Sequence, residues 1–245
     1  MLERRSIYES TTRGLRIYLA TPRLQGLLAF NMAVAAASAM VIVNTVVLVQ
    51  AQFGLAERET AMALAAFGAG SMIAALAIPR LLRVISDRLA MLVGAMALAS
   101  GLLLGAAVNS FGTLFALWFV LGLGYSFTQT PTGRLLRRSS QPEDRPALFS
   151  AQFALSHACW LLTYPLAGWL GVHLGLHSTF ISFAFLSAIA VVTASRLWPA
   201  HDPEAIEHSH DALAADHPHI VGSADHEKRH IHPYVLDELH RKWPE

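Results

Sequence analysis

Four stretches of the chain carry no Asp, Glu, Lys or Arg: residues 24–56, 60–79, 89–133 and 146–195. A bilayer core takes about 20 apolar residues per helix. The first two stretches therefore each hold one crossing, and the last two are long enough for two each. Gly, Asn and Ser break the apolar pattern at Asn109-Ser110-Phe111-Gly112 and again over 171–178, which marks turns. The pattern predicts an all-α membrane protein with six transmembrane helices, near 25–50, 60–80, 89–108, 112–134, 147–170 and 177–197. A soluble helical core is set aside, because such helices need a charged outer face that these stretches lack.

Composition agrees: 54% of the 245 residues are hydrophobic and 14% charged, against about 25% charged in an ordinary soluble domain. The charge distribution adds orientation. Arg4, Arg5, Arg13, Arg16 and Arg23 precede the first span, and Arg80, Arg83 and Arg88 lie between spans two and three. Arg134, Arg137, Arg138 and Arg145 lie between spans four and five, and Arg196 closes the sixth. The other side has Arg58 between Glu57 and Glu59. The positive-inside rule puts the basic side, and so both termini, in the cytoplasm of a multi-pass inner (plasma) membrane protein. Three regions are expected: a linker or interfacial segment at 1–23, the six-helix domain at 24–198, and a tail at 199–245. Residues 1–23 lack the apolar core of a secretory signal. Gly14–Leu19 fits either a helix lying on the membrane surface or a plain linker.

Small residues are dense on span two (Gly68, Gly70, Ser71 among many alanines), and Gly101 and Gly105 stand four apart on span three. That spacing lets helix backbones approach closely in lipid. Pro131 and Pro165 each remove a backbone hydrogen bond and are expected to bend their helices. Polar groups inside spans are costly unless paired or facing a cavity. The transport-path candidates are Asn31, Asn44, Tyr125, Gln129, Gln152 and His157, with Thr128 and Tyr164 nearby in sequence. His157 either carries a proton or cation or is hydrogen-bonded within the bundle. The single cysteine, Cys159, allows no disulfide within the chain. No phosphate loop, nucleophile–base pattern or metalloprotease helix points to an enzyme.

These six spans, basic loops and small-residue helices resemble the C-terminal half of a major facilitator superfamily transporter, in which each half is two inverted three-helix repeats. The loop 79–88 stands where that family has its signature cytoplasmic loop, and Asp87-Arg88 is similar to its acidic-basic pair, although the glycines around the pair are missing. The resemblance covers about 14–198. It implies secondary active transport and a second six-helix half, so the chain is expected to be a fragment, to pair with a separate N-terminal half, or to dimerise. Membrane lipid is the other expected partner, and nucleic acid is not expected.

The tail has a different composition. Residues 200–245 hold nine of the twelve histidines and ten of the seventeen acidic residues. Three His-x-His units occur, His208/His210, His217/His219 and His230/His232. In an extended segment both histidines of such a unit reach one side, and imidazole suits zinc, nickel, copper or iron. A largely disordered tail with exchangeable metal sites is expected rather than a closed thiolate site. No tightly bound cofactor is expected beyond nickel, cobalt or zinc at this tail. A pH-sensing tail and a merely polar one are the alternatives. Residues 234–243 carry apolar positions at helical spacing and predict a short amphipathic helix. With this tail the chain resembles bacterial nickel and related divalent-metal resistance exporters, which implies proton-driven efflux of a divalent metal. Two other functions stay open: export of a small organic molecule such as a drug or siderophore, and a membrane-anchored metal-binding protein that transports nothing.

Overall fold

The computed structural model describes residues 7–203, 205–209, 229–236, 240 and 243. Helix α1 (Ile7–Ala20) is followed at Thr21 by α2 (Pro22–Val46), which runs on into a π-helical turn, Val47–Gln52. Then come α3 (Glu57–Leu81), α4 (Asp87–Gly105), α5 (Phe111–Gln129), the short α6 (Thr132–Arg138) and α7 (Arg145–Leu197). Two antiparallel strands follow, β1 (Ala205–Ser209) and β2 (Arg229–Pro233), with His208 opposite His230 in the register. Five of the helical stretches are long and apolar enough to cross a membrane.

The fifth of these, α7, spans 53 residues, about 80 Å at the helical rise and more than twice a hydrocarbon core. It doubles back. Gly175 has φ 79° and ψ 163°, outside helical space, in a region that only glycine enters readily. On the first arm, Thr163 donates to the Ala35 carbonyl (3.2 Å) and Ala167 accepts from Asn44 (3.5 Å), so numbers rise together along α2. On the second arm, a Cβ built at Gly26 would stand 2.8 Å from Trp198 Cβ, and His177 Nδ1 lies 3.0 Å from the Ala106 carbonyl. That arm therefore runs against α2 and α4. The reversal falls inside the expected turn, 171–178, and differs from it in that one residue turns the chain while helical hydrogen bonding continues on both sides.

One other expected span is corrected at its end. Span three was expected to run to 108, yet α4 stops at Gly105, where the amides of Ala106, Ala107 and Val108 each bond three residues back. The expected fourth span, 112–134, lies within the apolar stretch Phe111–Arg138, which breaks step at Pro131. Pro131 has no amide to donate, so α5 ends at Gln129 and α6 restarts at Thr132.

Small residues close the bundle where their spacing predicts contact. A Cβ at Gly122 would overlap the Phe67 carbonyl, and one at Gly70 the Phe119 carbonyl, so α3 and α5 touch backbone to backbone. Ser71 and Ser126 bridge the same seam, Oγ to Oγ 2.8 Å. Gly94 and Gly124 do the same for α4 and α5, and Gly105 leaves room for the Phe180 ring. Gly68, in contrast, meets nothing. Below Phe180 lies Trp118, fully buried, its indole donating to Thr45 Oγ1 at 2.8 Å.

The tail differs from a largely disordered one in its described part. The strand pair leads into Tyr234, Val235 and Leu236, which are buried and not helical. Tyr234 and Leu236 pack on the apolar cluster of Tyr18, Leu24, Leu27 and Trp198. The amphipathic helix expected at 234–243 is thus replaced, over 234–236, by a non-helical segment held through its own backbone and side chains.

Candidate functional site

The arginine-rich segments meet at one end of the bundle, and the aspartates Asp87, Asp144 and Asp202 are tied to them, whereas Glu143 is exposed. Arg13 holds Asp144 through two bonds of 2.6 and 2.7 Å, joining α1 to the start of α7. Arg134 Nε lies 3.2 Å from Asp87 and also donates to the Leu82 carbonyl, so α6 is tied to the loop before α4. Asp87 itself opens α4 behind Ser86, whose hydroxyl accepts from the Leu89 amide. Arg88 donates to the Trp198 and Ser195 carbonyls (2.8 and 3.1 Å) and caps the end of α7. Asp202 lies 3.4 Å from Arg23 and 3.3 Å from Arg138, and accepts from the Trp198 indole at 2.9 Å. Arg23 is 2% exposed, donates to the Tyr234 carbonyl and lies under the Trp243 ring, 4.7 Å from its centroid. The sequence-expected pair Asp87-Arg88 is therefore part of a network that clamps helix ends. Its partners Arg13, Arg23, Asp144 and Asp202 were not singled out as site residues. The signal was scarcity: an acid among so many arginines has few options other than pairing.

One helical turn or more deeper, the structure brings together three of the six transport-path candidates. Gln129 on α5 donates to Asn31 on α2 (3.5 Å). Tyr18 at the end of α1 donates its hydroxyl to Gln152 on the first arm of α7 (2.5 Å), and Asn31 also touches Tyr18. Tyr18, Asn31 and Gln152 are buried, and the Asn31 amide nitrogen has no acceptor. Burial pushes the Tyr18 phenol far above its usual range, the Cys159 thiol adding to this and the Asn31 contact opposing it. The phenol therefore stays a donor at every physiological pH. This cluster offers amide oxygens and one unspent N–H, groups that coordinate a cation or bind a polar solute. Tyr18 was missed in the sequence because it lies outside the apolar runs.

The remaining candidates separate from this cluster. Asn44 is buried near the other end, bonded to Met40 Sδ and the Ala167 carbonyl, and a Cβ at Gly171 would sit against it. It joins α2 to the first arm of α7. Tyr125 packs edge-on to Phe67, 5.6 Å between centroids. His157, read in the sequence as lying deep in a span, is exposed on the flank of α7, its Nδ1 2.7 Å from the Phe153 carbonyl. There it joins a row of rings, Phe153–His157 at 3.8 Å, His157–Trp160 at 5.1 Å and Trp160–Tyr164 at 6.4 Å. An apolar depression of about 600 Å³ runs along Ala154, His157, Trp160, Leu161, Tyr164 and Pro165.

His210, His217 and His219 lie outside the described residues, as do the side chains of His208, His230 and His232. Among the described residues no three His, Cys, Asp or Glu side chains converge as a metal site.

No curated protein matches the chain. The family model of the Major Facilitator Superfamily matches residues 28–228, well over half of its length. Apolar helices that cross and recross, joined by glycine seams and clamped at one end by arginine, accord with that match, and the chain belongs to the Major Facilitator Superfamily of membrane transporters.

Proposed function

We propose that the chain is one six-crossing half of a secondary active exporter in the inner membrane, with its arginine-rich end and both termini in the cytoplasm, and that its cargo is a divalent metal. The family supplies transport in general. The reversal at Gly175 supports the sixth crossing. The exposed apolar side chains of α3 and of the first arm of α7, such as Met72, Leu76, Phe153 and Leu161, suit lipid and a second half. The observation that carries the metal reading is the run of three His-x-His units on the end from which an exported cation departs. These histidines gather nickel, cobalt or zinc, and the amide oxygens of Asn31, Gln129 and Gln152 lie on the way in.

The test is cellular. The chain, expressed with its partner half, is expected to lower nickel, cobalt or zinc accumulation and raise tolerance. Replacing the six His-x-His histidines with alanine is expected to weaken both severalfold. Unchanged accumulation and tolerance on deleting the complete transporter would sink the metal reading. Metal bound by the tail without any transport would instead mark a membrane-anchored metal-binding protein.

A second cargo is favoured by the row Phe153–His157–Trp160–Tyr164 and its depression: a small organic molecule that stacks on aromatic faces. Dye or drug efflux that falls in Trp160→Ala, with metal tolerance unmoved, would select it.

A further inference from the structure

At the arginine-rich end, apart from the amide cluster and the aromatic row, a cavity of about 280 Å³ is lined by Arg137, Arg138, Ser140, Gln141, Arg145 and Val235. It sits between the end of α6, the start of α7 and the docked segment of the tail. Among the described residues the charge around it does not balance, even with the exposed Glu143 beside Arg145 counted, since Glu143 pairs with none of these arginines. Asp144, next to Arg145, has both oxygens on Arg13. Asp202 is divided among Arg138, Arg23 and the Trp198 indole. Arg137 and Arg145 have no acidic partner among the described residues, and the buried Nε atoms of Arg138 and Arg145 have no acceptor. The two guanidinium groups of Arg137 and Arg145, beside Arg138 that shares Asp202, repel one another unless an anion stands among them.

Arginine forks match the oxygens of a phosphate, each group giving two parallel donors, and Gln141 adds an amide. A carboxylate would use one fork, whereas a phosphate has oxygens for the forks of Arg137 and Arg145 and for the open Nε of Arg138. We propose that this cavity is a binding site for a phosphate group, and that docking of Tyr234–Leu236 completes it. Val235, buried, is one of its walls. A ligand that binds only the docked form stabilises that form by mass action, so the tail is held down more firmly when the site is filled. The phosphate comes either on an anionic membrane lipid, since Phe149 and Phe153 emerge to the exterior within two turns of Arg145, or as a soluble phosphate.

The purified full chain in uncharged micelles provides the test, with its unfolding midpoint followed as short-chain phosphatidylglycerol or inorganic phosphate is added. Phosphatidylcholine of the same chain length and chloride at matched ionic strength are the controls. A saturable rise is expected for at least one phosphate ligand. A rise with phosphatidylglycerol alone assigns the lipid headgroup, and a rise with inorganic phosphate assigns a soluble ligand. Arg137→Gln and Arg145→Gln are each expected to raise the apparent Kd about tenfold, as loss of a charged hydrogen bond does. Arg80→Gln, on the other basic loop, is expected to leave it unchanged. Val235→Asp, which places a carboxylate in the wall, is expected to abolish the response. The proposal is overturned if neither phosphate ligand moves the midpoint beyond its control, or if Arg137→Gln responds like the unmodified chain. Arg137 is exposed, so its variant remains folded and decides the matter even if Arg145→Gln does not fold. An unaltered response in Val235→Asp would remove the tail from the site.

Discussion

Along α2 the chain passes from Arg23, buried among Asp202, Tyr234 and Trp243, to Thr45 under the Trp118 indole. The two ends of the bundle are held by different forces. At the arginine-rich end, Arg13–Asp144, Arg134–Asp87 and Arg138–Asp202 tie helices through arginines that reach water, while Arg23 is buried against Asp202. Water screens such pairs, and many are worth little singly. Toward the middle and the other end, contact is steric: Gly70 and Gly122 set α3 on α5, Gly105 lies under Phe180, and Gly175 turns α7. In lipid there is no hydrophobic force between helices, so close packing carries the association. Substitutions should therefore act abruptly in the glycine seams and gradually, with a dependence on salt, at the ion pairs.

The largest effect is expected at the α3–α5 seam. Gly122→Leu places a branched side chain where the Phe67 carbonyl stands, and backbone on both sides leaves nothing flexible to yield. Overpacking of this kind costs about 3 kcal/mol or more, enough to reduce the yield of monodisperse protein in micelles severely. Gly68→Leu, one helix over and facing nothing, is the control and should be purified normally. Equal yields for the two would mean that the seam is not what holds the bundle.

Next comes Asp144→Ala. Asp144 is buried and Arg13 about a quarter exposed. Breaking a fully buried pair costs about 3–5 kcal/mol; access of water to Arg13 lowers this to about 2. Denaturant unfolding in mixed micelles reads the loss, and it should shrink in the double variant with Arg13→Ala, because the stranded charge is then gone. Additive losses would argue that the two residues act separately.

How far the sequence foretold these arrangements depends on the kind of force. Uncharged runs and glycine spacing report on the solvent and on close approach, both local properties of the chain, and the seam at Gly70 and the turn near Gly175 were legible from them. Pro131 likewise stops α5 because its missing amide is a property of one residue. The partner of each arginine was not legible, since Arg13 and Asp144 are 131 residues apart and nothing periodic connects them. The same holds for Tyr18 and Gln152, and for the docked Tyr234–Leu236, whose apolar spacing fitted a helix until Arg23 and Trp198 supplied another way to bury it. Nor was the exposure of His157 on the flank of α7 legible, because an apolar run does not say which flank of its helix meets the bundle.

Gly175→Ala tests the far end with a smaller effect. A Cβ at φ 79°, ψ 163° is strained although nothing lies within 4 Å of it, and such a conformation costs about 1–3 kcal/mol for an ordinary residue. The loss should be independent of salt. Exposure of a cysteine introduced at His173, probed from each side of a vesicle, checks whether the reversal itself survives.

The smallest expected effect, at Asp87, separates the two ends most cleanly. Asp87 is 2% exposed at its side chain and Arg134 51%, so the guanidinium loses little by turning to water when its partner goes. Asp87→Asn keeps the shape and an acceptor oxygen, and it removes one charge from the first turn of α4, where a carboxylate also favours the helix dipole. Together these are worth about 1 kcal/mol at low salt. Unfolding at about 0.05 M and about 0.5 M salt should show the difference narrowing, because the screening length falls from more than 10 Å to a few ångströms. A difference that persists undiminished at high salt would place Asp87 with the glycines, as a residue held by fit; one that vanishes places it with the arginines, as a charge that steadies the loop between α3 and α4 without locking it.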